Sequence, residues 1–359
     1  MKPTLVSVMM PAFNAEAFVA QAIESLLAQS YKAWQLIVVN DGSSDRTGEI
    51  AGKFRDARIT VIHQSNLGEA SARNTALLHS QGEYLAFLDA DDLYLPSHLE
   101  RCIAHLETHP DHDGAYTDGI YIDQHGSPLK TLSSRRRGPF QGDIFEQMVR
   151  ASDVFGTPAC VVLRKQAAGS RDLTFDPEIV IGPDWDFLTR FSERAWFGYV
   201  DLQTCLYRVH TGNVSLRTSQ EKRLQSLARC REKAVKLSRF ESCSVETRAH
   251  VFYDLLANLL TGHPERQQEI TRWPEFLSLP AGERARLFRL MASRALVSGV
   301  DPRIAGGWLR ASRLLSPADK KTWTLTALFG LRPQLCRKLL SLRISKHTPA
   351  AANPFADLA

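Results

Sequence analysis

Four short stretches of the chain gather side chains that could do chemistry. The densest is Phe87-Leu88-Asp89-Ala90-Asp91-Asp92. Its three carboxylates lie within four residues and repel one another, an arrangement that a divalent cation makes tolerable. Hard carboxylate oxygens suit Mg2+ or Mn2+, which bind through one or two protein carboxylates plus the phosphates of a substrate. A cation held there would offset the charge of a leaving diphosphate. The competing reading is a turn, because an aspartate after a strand often caps the next helix.

The second stretch runs Val38-Val39-Asn40-Asp41-Gly42-Ser43-Ser44-Asp45. A carboxylate at Asp41 could accept a hydrogen bond from a nucleobase, although Asn, Gly and Ser favour such a turn in any case. In the third, Asn66 to Asn74, the guanidinium fork of Arg73 suits base or phosphate oxygens, and it equally suits an exposed helix surface. The fourth is Gly182-Pro183-Asp184-Trp185-Asp186-Phe187-Leu188-Thr189-Arg190. Acidic residues are favoured at a helix start by its dipole. One of them, facing an acceptor hydroxyl, could instead remove its proton as general base. Trp185 fits either beneath a sugar ring or in a core.

Alternating strands and helices must position these residues. Residues 5–10 are a short apolar run stopped by Pro11, as in a buried strand. Residues 15–30 read as a helix whose apolar face is Val19, Ile23, Leu26 and Leu27. Further strands are expected over 34–39, 59–63 and 84–88, with helices ending near 54 and spanning 68–80 and 96–109. That rhythm indicates a mostly parallel sheet with helices on both faces. Ligands bind at the carboxyl ends of such strands, and residues 11–14, 40–45 and 89–92 each follow a strand directly. From 114 to 210 the pattern is mixed, with strands over 115–122, 159–163 and within 197–209, and a helix over 184–194.

After about residue 215 the strands stop and helical periodicity takes over, as in Leu224, Leu227 and Ala234 or Val251, Leu255 and Leu259. Ser316-Pro317-Ala318-Asp319 reads as a helix start with Ser316 as cap and Pro317 first, and Pro333 starts another helix. The Ala/Pro-rich residues 348–359 are expected to be disordered. Three regions result: 1–215, with a change of pattern near 112; an α-helical region over 216–347; and the tail.

A net charge of +5 is too modest to indicate a nucleic-acid partner. The six cysteines include no CxxC pair, so they read as buried thiols of a reducing compartment. No run approaches the ~20 apolar residues of a spanning helix, and residues 5–10 are too short for a signal-peptide core. The expected location is cytoplasmic. Peripheral contact with the inner face of the membrane stays open, because no acidic residue lies between Asp319 and Asp357 while Lys320, Lys321, Arg332, Arg337, Lys338, Arg343 and Lys346 are all basic. Leu335, Leu339 and Leu342 share a helical face that either packs on the domain or lies in a lipid interface.

Taken in order, the strings SVMMPAFNAEAFVAQAIESLLAQSY, LIVVNDGSSDRT, NLGEASARNTAL, GEYLAFLDADDLYLP and GPDWDFLTRF followed by YRVH resemble glycosyltransferase family 2. The resemblance covers residues 3–215, is densest over the first hundred, and implies a nucleotide-binding half over about 1–112 and an acceptor half over about 113–215. It implies a GT-A fold and an inverting glycosyltransferase that moves a sugar from a nucleotide-sugar donor, often a UDP-sugar, to a glycan or lipid-linked acceptor. By position, it implies that Pro11, Phe13 and Asn14 line the base pocket, Asp41 contacts the base and Arg73 assists nucleotide binding. Asp89 and Asp91 form a DxD pair, with Asp91 the first candidate for Mn2+ or Mg2+ and Asp89, Asp92 and His210 as further candidates. Asp184 is implied as the catalytic base. Many relatives have Glu-Asp where this chain has Pro183-Asp184, so the aspartate is kept and the preceding glutamate is lost. Two other classes fit parts of the pattern. A nucleotidyltransferase also uses strand-end aspartates, but it needs a Gly-rich basic loop that residues 11–18 lack. A silent sugar-nucleotide-binding or scaffold protein would have no need of Asp91 and Asp184.

Overall fold

The computed structural model describes residues 4–169, 173–331, 333–345 and 355. The chain divides into two compact units, residues 1–218 with 355–359, and residues 219–354.

The first unit holds ten strands: β1 (Val6–Ala12), β2 (Trp34–Asp41), β3 (Ile59–Gln64), β4 (Tyr84–Phe87), β5 (Leu93–Tyr94), β6 (Gly114–Ile122), β7 (Pro128–Thr131), β8 (Gly142–Asp143), β9 (Val161–Arg164) and β10 (Trp196–Arg208). They join in the order β3-β2-β1-β4-β9-β6-β10-β5, with β7 beside β6 and β8 beside β10. Its helices are α1 (Val19–Leu27), α2 (Thr47–Ala51), α3 (Glu69–Leu78), α4 (His98–Thr108), α5 (Phe145–Arg150), α6 (Lys165–Gly169), α7 (Pro183–Ser192) and α8 (Val214–Arg217).

The expected parallel rhythm is present in β3-β2-β1-β4. β6 and β10 also pair in parallel, and β9 enters antiparallel between β4 and β6, making the whole sheet mixed. Both faces of the central strands are buried. Val6, Val8, Met10, Leu36, Val38 and Ala86 belong to one core with Ala22, Ile23 and Leu26 of α1 and Leu99, Cys102 and Ile103 of α4. Met9, Ile37, Val39 and Phe87 alternate with them and are buried on the opposite face, where α3 packs against β1 and β2. The small residues Ala70, Ala72 and Ala76 let that helix lie close to the sheet.

The second unit contains α9 (Gln220–Val235), α10 (Val245–Leu259), α11 (Pro264–Ile270), α12 (Pro274–Leu277), α13 (Ala281–Ser298), α14 (Pro302–Leu315), α15 (Lys320–Leu331) and α16 (Pro333–Ser345). Among the described residues no strand follows Arg208. A run of aromatic rings, Phe240, Phe252, Phe276, Phe288 and Trp308, links its helices with successive centroids 5.1–5.8 Å apart.

Two local expectations change. α1 begins at Val19, because residues 13–18 are held in a loop by side chains of the next strand end. The helix expected from Ser316 begins at Lys320, and the cap is Asp319, whose carboxylate accepts the Lys321 N–H at 3.1 Å and the Thr322 hydroxyl at 2.7 Å. Leu335 and Leu339 face outward, as do Trp323 and Leu331, while Cys336 is buried. Arg332, Lys346 and the expected disordered tail lie outside the described residues, except Phe355, which packs on Tyr121 and Tyr207 of the first unit. All six cysteines are buried, and none forms a disulfide.

Gly82 sits where a Cβ would lie 2.5 Å from the Leu5 carbonyl oxygen and 2.7 Å from the Ser7 nitrogen. Those atoms belong to or adjoin the central strand and cannot yield without moving β1. Gly82→Ala is expected to destabilise the fold by about 2 kcal/mol, read as a lower denaturation midpoint with an unchanged slope.

Candidate active site

The loops after β1 and β2 are tied to each other. Asn14 adopts a left-handed φ of 49°, which asparagine tolerates. Its side-chain oxygen accepts the Ser44 N–H at 2.9 Å, and its own N–H donates to Ser43 Oγ at 3.0 Å. Phe13 projects outward beside it, with 47% of its surface exposed, and Pro11 is half-buried at the end of β1. Asp41 is buried at the end of β2. Its carboxylate accepts the side-chain amide of Gln64 at 2.7 Å and the N–H groups of Leu67 and Gly68 at 2.9 and 2.8 Å. Asp41 therefore fixes the entry to α3. A carboxylate offers about four acceptor positions, so one remains after these three bonds.

α3 carries Arg73, whose side chain is almost wholly buried. One terminal nitrogen donates to Asp89 Oδ1 at 2.7 Å, and the other lies 2.8 Å from Glu69 Oε1 one turn earlier on the helix. Desolvation pushes the Glu69 carboxyl up to about 7; Arg73 pulls it down, and Asp89, Asp184 and Asp91 push it up again. Asp89 is raised for the same reasons, burial first.

The loop after β4 presents Asp91 to His210. His210 Nδ1 accepts the Gly212 N–H at 3.2 Å, which places the ring proton on Nε2, 2.9 Å from Asp91 Oδ2. In this arrangement His210 donates to Asp91. Asp92 turns inward. One of its oxygens accepts the Arg208 N–H at 2.9 Å, and the other is buried without a partner. Burial, followed by the charges of Asp91 and Asp89, holds its carboxyl well above the usual range. Arg208 braces the loop: its Nε donates to the Asp91 carbonyl at 2.9 Å and an outer nitrogen donates to Gln21 at 2.9 Å.

α7 separates the two aspartates of the fourth stretch. Gly182 takes a left-handed φ of 79° before Pro183 opens the helix. Asp186 points inward and pairs with Arg190 at 2.7 Å. Trp185 is buried, with its indole N–H donating to the Met148 carbonyl at 2.9 Å, so it is a core residue. Asp184 is half-buried and has no hydrogen-bond partner among the described residues. Its charge acts on Arg73, Glu69 and Asp89, which places it in the same electrostatic neighbourhood. Asn74 holds the approach to α7, exchanging hydrogen bonds of 2.8 and 2.7 Å with the backbone of Phe175.

Comparison with known proteins identifies the family. The family model described as glycosyl transferase family 2 matches residues 7–170. The putative glycosyltransferase EpsE of Bacillus subtilis is 34% identical over 215 residues, 57% of this chain and 72% of that protein. The chain belongs to glycosyl transferase family 2. The Escherichia coli UDP-Glc:alpha-D-GlcNAc-diphosphoundecaprenol beta-1,3-glucosyltransferase WfgD is 43% identical over 101 residues, 28% of this chain and 40% of that protein. The match spans under a third of some other curated relatives, 29% and 30% of their lengths. The structure of S. aureus TarS 1–349 in complex with UDP-GlcNAc aligns with a TM-score of 0.55 at 16% identity, covering 89% of this chain and 92% of that one. That likeness is one of fold, and the mixed sheet followed by helices is of the GT-A type.

Within this family-2 site, the residues present suit a divalent cation. The DxD loop holds an orphaned buried carboxylate oxygen and two carboxyls raised by burial and mutual repulsion. Among the described residues no three His, Cys, Asp or Glu side chains converge as a finished cage. The sequence reading did not single out Glu69, Asn74, Arg208 or Asn213, whose side-chain amide donates to Asp91 Oδ2 at 3.4 Å. Glu69 had a signal, since an acid four residues before an arginine on a helix is a pairing arrangement.

Asp186→Asn is expected to cost about 3 kcal/mol by leaving Arg190 without its buried partner, whereas Asp184→Asn should leave the melting temperature unlowered; differential scanning calorimetry of both variants checks this. Raised folded-state values mean that the folded chain binds more protons than the unfolded one. Apo stability should therefore fall as pH rises from the ordinary carboxylate range to about 7, the value for Glu69. Glu69→Gln should flatten that fall in melts run across this window.

Proposed function

We propose that this chain is an inverting, metal-dependent glycosyltransferase that moves a sugar from a UDP-sugar donor to a hydroxyl of a glycan or lipid-linked acceptor. The observation that carries the reading is the meeting of an unpartnered carboxylate, Asp184, with the Arg73–Asp89 pair and the Asp91 loop, from elements far apart in sequence. Family membership and the UDP-linked names of WfgD and TarS support it.

In this reading Pro11, Phe13 and Asn14 border the base, and the remaining acceptor position of Asp41 takes a base N–H. Asp91 would hold Mn2+ or Mg2+, with Asp89 and Asp92 alongside. When bound, that cation neutralises charge on the leaving diphosphate. His210 keeps Asp91 oriented through its Nε2–H. Asp184 accepts the proton of the acceptor hydroxyl as that oxygen bonds to the anomeric carbon. The bond from that carbon to the diphosphate breaks, and its electron pair leaves with UDP. Attack opposite the leaving group inverts the anomeric centre.

The name of WfgD, with its diphosphoundecaprenol acceptor, supports a lipid-linked acceptor. Exposed Trp323, Leu331, Leu335 and Leu339 beside Lys320, Lys321, Arg337 and Lys338 support peripheral contact with an anionic membrane. No described helix is long and apolar enough to cross a membrane.

A thermal-shift screen of UDP-sugars with and without Mn2+ tests the donor half. Stabilisation should require Mn2+ and disappear in Asp91→Asn. Asp184→Asn should keep that stabilisation and lose transfer by at least about 100-fold; full transfer activity in this variant would remove Asp184 as the base. Sedimentation with anionic liposomes at low salt should deplete the protein from solution, and a protein that ignores them excludes the membrane contact.

A further inference from the structure

An arginine beside a carboxylate ordinarily offers two parallel N–H bonds to its two oxygens. Arg73 does not do this with Asp89. Its outer nitrogens are divided, one 2.7 Å from Asp89 Oδ1 and the other 2.8 Å from Glu69 Oε1. Asp89 Oδ2 therefore has no partner among the described residues. The division is built into the backbone. Glu69 is the first residue of α3, and Asp41 holds the two preceding N–H groups, those of Leu67 and Gly68. Arg73 is almost fully buried, and neither Nε nor the outer nitrogen facing Glu69 makes a hydrogen bond, so Glu69 holds that arm as an ion pair.

Resting on the metal-dependent reading above, we propose that Glu69 is a positioning residue for the cation site: by engaging one arm of Arg73, it stops the guanidinium from closing on both oxygens of Asp89 and keeps Asp89 Oδ2 open toward the ion and diphosphate. It acts through Arg73 and need not touch substrate. Without Glu69, the free arm of Arg73 turns to Asp89 and competes with the cation for it. The same arrangement links the base end of the site to the metal end through Asp41, the start of α3, Glu69, Arg73 and Asp89.

The test is a Mn2+ titration of the full chain in saturating UDP, read both by thermal shift and by the loss of the free Mn2+ electron paramagnetic resonance signal. Glu69→Ala is expected to raise the half-maximal Mn2+ concentration by about tenfold, the scale of a lost outer-shell partner. Glu69→Asp, which keeps the charge, should recover most of that loss, and Glu69→Gln should fall between the two. Apo melting temperatures should change little, because Arg73 keeps Asp89 as its partner when Glu69 is removed. A wild-type Mn2+ titration in folded Glu69→Ala or Glu69→Gln would overturn the proposal. So would a variant that loses apo stability while its Mn2+ response stays intact, since that is a merely structural role. A wild-type protein with no Mn2+ response in UDP would overturn the metal-dependent reading itself, and this inference with it.

Discussion

Glu69, Asp89, Asp91 and Asp184 act on one another across one half-buried space, and the guanidinium of Arg73 is held among them. Burial first, then the neighbouring carboxylates, raise the proton affinity of Glu69 and Asp89 against the pull of Arg73. Arg73 supplies one unit of positive charge and is buried on an apolar floor that includes Phe175. Asp92 adds a further desolvated carboxyl below the loop. The remaining imbalance is negative, and it supports the proposal of a divalent cation arriving with a diphosphate.

Holding such a cluster open requires a rigid surround. The parallel strands β1, β2 and β4 deliver three loops to one edge of the sheet, and their side chains then fasten those loops to each other. Asn14 reaches the β2 loop, Asp41 reaches the start of α3, and Arg208 on β10 reaches the loop after β4. Asn74 secures the segment before α7 in the same way. Each fastening commits polar groups to protein partners, which leaves Asp184 as a carboxylate with room to accept a proton.

The β1–β4 part of the sheet was legible in the sequence because hydrophobic runs and strand-end polar clusters report directly on parallel strands. The other half was less so. β9 joins the sheet antiparallel, and its pairing partners lie far away along the chain, as in Ala86 with Val162 and Ala115 with Val162, so no local pattern announces it. At α7 the spacing offered two aspartates at a helix start. Only the fold shows that Asp186 is committed to Arg190 and Asp184 is not. The late helix start at Lys320 reflects a choice between two competent caps, Ser316 and Asp319, which tertiary contacts decide, including an ion pair from Arg289 to Asp319. The outward face of α16 was likewise undetermined, because a leucine stripe has the same spacing whether or not something covers it.

The most direct measurement is anomalous diffraction at the manganese edge from crystals grown with UDP and Mn2+. The account predicts one strong peak within coordination distance of Asp91 and of diphosphate oxygens, with Asp184 facing the space beyond the diphosphate and not ligating the ion. UDP held in the same cleft with no manganese peak, or with manganese bound through Asp184, would contradict it.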